Sequence, residues 1–379
     1  MKLAIISHTE HYKAADGTIV GWGPTITEIN HLLEIFDTIY HVAMLHETDA
    51  PPSALPYVSH RIVFVPLPAL GGNSLGAKCQ LLWKAPKVLS IVNKTLKKVD
   101  WFQFRAPTGI GVYVIPFLTL CVKTPGWFKY AGNWNQETPP LGYRWQRWML
   151  KQQSRKVTIN GSWNHQPKHC ITFENPCLTN DELDEGLKLG KEKSLEGLIN
   201  VCYVGRLERP KGVERIIQAM AALTEVEKKR IGVVHLVGDG PEKAYFVELS
   251  KTAGVTFKFH GFLPREEVFE IYKKSQVFLM PTTASEGFPK AIAEAMNFGC
   301  IPIVSDVSSI SQYIKNNIHG LILDEVTSNR LIERIRTVLN YTEEEHIRTI
   351  HSQKEIVRLF TFEYYNWSIT SRILSLKNK

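Results

Sequence analysis

No apolar run in this chain of 379 residues is long enough to cross a bilayer. The longest charge-free stretch, between Arg105 and Lys123, is broken by Pro107, Gly109, Gly111 and Pro116. It falls short of the roughly 20 apolar residues a spanning helix needs and reads as a buried helix. The segment from Met1 to His8 turns polar too soon for a signal peptide and reads as a first buried strand. The expectation is therefore a protein with no membrane anchor of its own. Six cysteines, at 79, 121, 170, 177, 202 and 300, follow no framework spacing, which points to a reduced, intracellular setting. His165, His169, Cys170 and Cys177 cluster but lack the paired C-x-x-C spacing of a zinc site, so they read as ordinary core and surface residues. There is no solenoid-period repeat and no low-complexity tract.

What is present fits two domains, given roughly 100–200 residues per domain. An apolar fraction of 44% allows a sizeable core, and the net charge of +8 suits an anionic ligand or surface without naming one. Apolar strands alternate with helical periods. Residues 3–7, 38–45, 61–65 and 100–104 read as strands, and 25–36 as a helix with Ile26, Ile29, Leu32, Leu33 and Phe36 on one side. After a polar, acidic stretch at 180–195 the rhythm restarts. Strands are expected at 198–204, 233–237, 256–259, 277–280 and 301–305, with helices at 212–222, 241–250, 265–274 and 289–298. The fold class is α/β: two doubly wound, Rossmann-like domains, each with a parallel sheet covered by helices.

Five motifs could carry chemistry. The first, Glu286-Gly287-Phe288-Pro289 followed by Glu294, sets two glutamates eight positions apart across a turn that opens a helix, with Pro289 suited to position N1. Both carboxylates can accept hydrogen bonds from vicinal hydroxyls. Acids near a helix start also offset its dipole, but that leaves the Gly-Phe-Pro turn unexplained. The second, Gly205-Arg206…Lys211-Gly212, leaves a strand and enters a helix. Its cations and the free N–H groups there make a diphosphate site, or else two solvated charges beside a turn. The third, Gly238-Asp239-Gly240-Pro241, lacks the third glycine of a dinucleotide fingerprint. The fourth, His260-Gly261-Phe262, offers backbone to a nucleobase or is a plain strand end. The fifth, Gly21-Trp22-Gly23, either lets a phosphate approach the backbone or simply starts a helix.

In this order the motifs resemble the retaining GT-B glycosyltransferases of family 4, glycosyl transferases group 1. The likeness is strong over residues 198–325 and topological over the first 175. It implies an acceptor-side domain at 1–176, a nucleotide-sugar donor domain at 177–356, and a helix at 357–379 crossing back to the first domain, with the two domains facing a cleft. It implies that Arg206 and Lys211 stabilise the diphosphate leaving group, replacing a divalent metal; no cofactor is expected, and no Asp-x-Asp metal signature is present. Glu286, with the backbone of Gly287, Phe288 and Pro289, would hold the donor sugar, and Glu294 the ribose. Gly238, Gly261 and Phe262 would border the nucleotide, and Gly23 would approach the diphosphate from the other domain. Acceptor-side candidates are Arg105, which could equally form a structural salt bridge, and Asn133. A GT-B epimerase, a phosphorylase and a non-catalytic glycan- or nucleotide-binding subunit are the competing activities.

Residues 121–170 are basic and tryptophan-rich. Leu141, Trp145, Trp148 and Met149 share one helix face, beside arginines. Such a helix lies in a lipid interface or packs its tryptophans into the core. The expected partners are a nucleotide sugar and a glycan or lipid-linked acceptor, with peripheral membrane contact through 141–156 and no nucleic acid. The expected location is the cytoplasm and the inner membrane face.

Overall fold

The computed structural model describes residues 1–72, 74–190 and 192–375. The chain forms two compact units, one of Met1–Asn175 joined by the chain from Tyr365, the other of Pro176–Tyr364. Among the described residues no helix is long and apolar enough to cross a membrane.

The first unit holds strands β1 (Lys2–Lys13), β2 (Ile19–Trp22), β3 (Thr38–Leu45), β4 (Ala54–Pro56), β5 (Ile62–Pro68), β6 (Trp101–Ala106), β7 (Gly126–Tyr130), β8 (Val157–Ile159) and β9 (Cys170–Thr172). Its parallel path runs β5-β3-β1-β6-β7-β8-β9, with β2 and β4 added antiparallel at the far end of β1. The second unit holds β10 (Ile199–Val204), β11 (Ile231–Val237), β12 (Thr256–Gly261), β13 (Val277–Met280), β14 (Ile301–Ser305) and β15 (Leu321–Leu323), all parallel, in the order β12-β11-β10-β13-β14-β15. The inner strands bury both faces, β7, β13 and β14 throughout their length, so alternate side chains enter two cores. Val201 and Tyr203 point into one, Cys202 into the other; Leu3 and Ile5 part from Ala4 and Ile6 in the same way.

In both sheets the strand order reverses beside the first strand, between β1 and β6 and between β10 and β13. Ligands of open α/β sheets bind beyond the strand ends at that point. The fold therefore marks one candidate position in each unit.

Three expectations need correction. The polar stretch 180–195 contains a helix, Asn180–Leu189, started by a reciprocal capping box between Thr179 and Glu182 and anchored by buried Leu183. Residues 21–23 are no loop: Gly21 and Trp22 end β2, and Gly23 starts the helix Gly23–His31. The returning segment starts later than 357, because Val357 and Phe360 belong to the second unit's core, where Phe360 stacks on Phe288 at 4.6 Å. The first unit resumes at Tyr365, and residues 376–379 lie outside the described residues.

Candidate functional site

In the second unit the loops after β10 and β13 are stitched together. The Thr283 N–H donates to the Pro210 carbonyl at 2.7 Å, and an Arg215 guanidinium nitrogen donates to the Pro281 carbonyl at 3.2 Å. Gly212 stands between them at φ +95°, where a Cβ would lie 2.2 Å from the Pro281 oxygen. Only glycine fits such a crossing. The stitching brings Lys211, from the turn Arg209–Lys211, onto Glu286, and the two form an ion pair with each side chain about a quarter exposed. Two residues 75 apart in sequence thus meet at the strand-order reversal. Arg206 projects from the same loop, 70% exposed and 2.5 Å from Glu208.

The neighbouring strand ends are packed backbone to backbone. The Gly238 N–H donates to the Gly261 carbonyl at 2.8 Å, and a Cβ on Gly238 would lie 2.0 Å from the Gly205 oxygen. Gly261 ends β12, and Phe262 beyond it is 42% exposed. Gly287 continues the Glu286 loop. Phe288 is buried against Tyr313 and Phe360, so it pins the loop from below. Pro289 occupies the N-cap rather than N1, and the helix Lys290–Asn297 begins one residue later than expected. The first N–H groups of that helix have no intrahelical acceptors.

Glu294, one turn into the helix, accepts from the Tyr272 hydroxyl at 3.3 Å. Burial pushes its carboxyl above the usual range, opposed by the charges of Arg265 and Lys290. Arg265, which pairs with Glu182 beside Glu294, escapes a motif-based reading. Its signal is slight, a cation directly after Pro264 at a helix start.

The first unit has its own concavity at the β1/β6 reversal, a cavity of about 470 Å³ lined by Thr9, Trp22, Arg105, Thr108 and Tyr143, among others. Arg105 forms the structural salt bridge that was one of its two expected readings. Its Nη2 donates to Glu28 Oε1 at 2.7 Å and its Nε to Gln103 Oε1 at 3.0 Å, while the residue still lines the cavity. Lys129 Nζ reaches the same Glu28 oxygen at 2.6 Å. Asn133 accepts from the Asn135 N–H at 3.0 Å in the turn after β7; from that segment it is Ala131 that lines the cavity. The Gly23 N–H is spent on the Ser53 carbonyl at 3.0 Å, and a Cβ on Gly21 would lie 2.5 Å from the His11 ring. Both glycines answer to close packing.

The helix Leu141–Lys151 turns Gln146 and Leu150 inward and leaves Trp145 and Trp148 about half exposed, stacked with ring centres 5.2 Å apart. Of the basic residues around it, Arg147 donates to the carbonyls of Trp134 and Gln136, and Arg155 to those of Leu118 and Val122. Those two cations are structural.

Residues 188–354 match the family model described as glycosyl transferases group 1. An uncharacterized glycosyltransferase of Methanocaldococcus jannaschii is 25% identical over 194 residues, covering 49% of this chain and 47% of that protein. A putative teichuronic acid biosynthesis glycosyltransferase of Bacillus subtilis is 30% identical over 150 residues, covering 40% of this chain and 34% of that protein. The matches thus span half or less of these relatives' length. Among solved structures, the Anabaena protein HepE in complex with UDP aligns over 99% of this chain and 100% of its own, with TM-score 0.70 and 15% identity. A sucrose-phosphate synthase from Thermosynechococcus elongatus aligns over 99% of both chains, with TM-score 0.70 and 16% identity. The chain has the GT-B fold, and residues 188–354, within its second unit, match the glycosyl transferases group 1 model.

Proposed function

We propose that this protein is a retaining, metal-independent hexosyltransferase. It moves a sugar from a nucleoside-diphosphate donor, bound by the second unit, to a glycan or lipid-linked acceptor in surface polysaccharide synthesis. The observation that carries this reading is the Lys211–Glu286 ion pair at the strand-order reversal of a group 1 domain. That Anabaena HepE is crystallised with UDP and glucose supports a nucleotide-sugar donor.

Breaking a glycosyl–phosphate bond leaves an oxocarbenium-like sugar and a diphosphate that gains negative charge. Lys211 and Arg206 meet that charge, so most of the rate enhancement comes from preorganised electrostatics. Glu286, with the backbone of Gly287, Phe288 and Pro289, orients the donor sugar. Glu294 accepts from the ribose hydroxyls, and Gly238, Gly261 and Phe262 border the nucleotide. The departing phosphate oxygen takes the acceptor's proton on the face it leaves, which retains configuration. Arg105 serves the acceptor side. The exposed face of Leu141, Trp145 and Trp148 rests on the inner membrane surface and brings the protein to a lipid-linked acceptor.

The test is a panel of nucleotide sugars with an acceptor extract, read by nucleoside diphosphate release. Release from one donor class, dependent on the extract, is expected. No release from any donor would favour a binding subunit, and sugar isomerisation without acceptor would favour an epimerase.

A further inference from the structure

Three segments of the second unit converge on Arg265, the first residue of the helix Arg265–Lys274. Its guanidinium forks onto Glu182, Nη1 to Oε1 and Nη2 to Oε2, the second contact at 2.8 Å. Nη2 also donates to the Cys177 carbonyl, and the central carbon lies over the Phe269 ring, 4.2 Å from its centre. Glu182 is fixed in turn: its Oε2 accepts from the Thr179 N–H at 2.8 Å, in the capping box that starts the helix Asn180–Leu189. A fork seated on two oxygens and a ring leaves the cation little freedom.

Glu294 stands beside this clamp and is not part of it. Among the described residues its carboxylate accepts one hydrogen bond, from the Tyr272 hydroxyl onto Oε2, which leaves Oε1 without a protein donor. The residue is part-exposed, and Oε1 has capacity for a ligand's hydroxyl. Burial pushes the carboxyl above its usual range. Arg265, and more weakly Lys290 one turn back on the same helix, oppose that shift, while Glu182 adds to it. Cys177 also faces Glu294, but burial holds its thiol well above the ordinary value and so neutral. Tyr272 is fully buried, its hydroxyl pushed up in the same way, and remains a donor. One salt bridge therefore sets a cation and an anion beside Glu294, acting on it in opposite senses.

We propose that Arg265 is a positioning residue for the donor nucleotide. Seated on Glu182, it keeps Glu294 a charged carboxylate with one oxygen open to a ribose hydroxyl, and so supports selection of ribonucleotides over deoxynucleotides. This role rests on the reading of Glu294 as the acceptor of the ribose hydroxyls. A clamp that only ties two helices together has no such effect.

Calorimetry on the full chain tests it with UDP, GDP and ADP, each beside its 2′-deoxy form, between roughly pH 5 and 8. The ratio of the two affinities isolates the ribose hydroxyl, because protonation of the diphosphate is common to both. At neutral pH the wild type should bind one ribonucleotide about tenfold more tightly than its deoxy form, the scale of one hydrogen bond to a charged group. That preference falls as Glu294 takes up a proton. Arg265→Gln removes the opposing cation, so the fall should begin at higher pH and leave the preference several-fold smaller at neutral pH. Glu182→Gln, whose amide oxygen still accepts from the Thr179 N–H, removes the anion instead, so the fall should begin at lower pH. Arg265→Lys, which keeps the charge and loses the fork, should restore most of the wild-type preference. Displacement in the same direction by Arg265→Gln and Glu182→Gln, or in neither, would overturn the proposal and make the pair a structural clamp. A wild type that binds a ribonucleotide and its deoxy form equally would take the ribose away from Glu294 and this role with it, leaving the transferase reading to the diphosphate-release assay. Failure of all three ribonucleotides to bind would remove the donor reading and this role together.

Discussion

At the scale of single residues, the resting site holds its cation and its carboxylate against each other. Lys211 and Glu286 are each about a quarter exposed, so water screens the pair and it adds little to stability. In the proposed transferase its value would lie in exchange: a diphosphate drawing on Lys211 would release Glu286 for the sugar hydroxyls. Glu286→Gln keeps the shape and removes the competing charge. Nucleoside diphosphate affinity should hold or rise a few-fold, while kcat falls on the order of 100-fold, the usual scale for one preorganised electrostatic contact. Equal losses in calorimetric affinity and kcat would make Glu286 a general binding residue.

His11 permits a pH prediction. Burial lowers its imidazole to about 4, and it faces His41, Tyr57, His46 and Phe64. The unfolded chain takes up a proton near 6.5, and the folded one only near 4. Between those values the unfolded state binds more protons. Stability is therefore full above about pH 6.5 and declines as pH falls toward 4, by an amount on the order of 3 kcal/mol. Denaturant midpoints of the wild type should drop across that window and drop less in His11→Gln. An identical decline in both would assign the effect elsewhere, with His41, which burial holds well below its ordinary value, and His235, lowered to about 4, the next candidates.

At the scale of elements, the site depends on how closely two loops cross. Gly212→Ala puts a methyl group 2.2 Å from the Pro281 oxygen at a φ of +95°, so the loops must separate. A cost of about 1–3 kcal/mol is expected from strain alone, together with loss of turnover, because Lys211 adjoins the displaced residue. Unaltered denaturation and unaltered turnover would show that the crossing is not what positions Lys211. Strands were legible in the sequence wherever both faces are buried: β13 is an unbroken apolar run, β10 is apolar but for Asn200, and β14 is apolar up to Ser305. The pairing of Lys211 with Glu286 was not legible, because it follows from strand order and no local pattern encodes that order. Gly21 misled for a related reason: its missing side chain makes room for a histidine ten residues back, which resembles a phosphate loop in sequence alone. The helix Asn180–Leu189 did have a signal, the Thr179-x-x-Glu182 box, masked by its acidic composition.

At the scale of the whole molecule, charge is unevenly placed. Between Asp49 and Glu174 the chain carries sixteen basic residues against two acids, an excess larger than the +8 of the entire chain. The same stretch holds the helix Leu75–Trp83, which buries no residue and exposes Leu75, Leu82 and Trp83. It also holds exposed Leu120, Leu141, Trp145 and Trp148. Exposed tryptophan and leucine among lysines suit a headgroup layer, where the rings bury at the acyl boundary and each cation near an anionic surface adds roughly 1 kcal/mol. Sedimentation with vesicles separates the contributions. The protein should bind phosphatidylglycerol vesicles and leave phosphatidylcholine vesicles, and raising salt should weaken the binding as the Debye length shrinks. Trp145→Ala combined with Trp148→Ala should reduce binding about tenfold at any salt, because the lost contribution is apolar. Trp83→Ala should add to that loss if both helices meet the same surface. Binding that salt abolishes and that none of these substitutions weakens would mean the face is only an electrostatic patch, with its tryptophans in water.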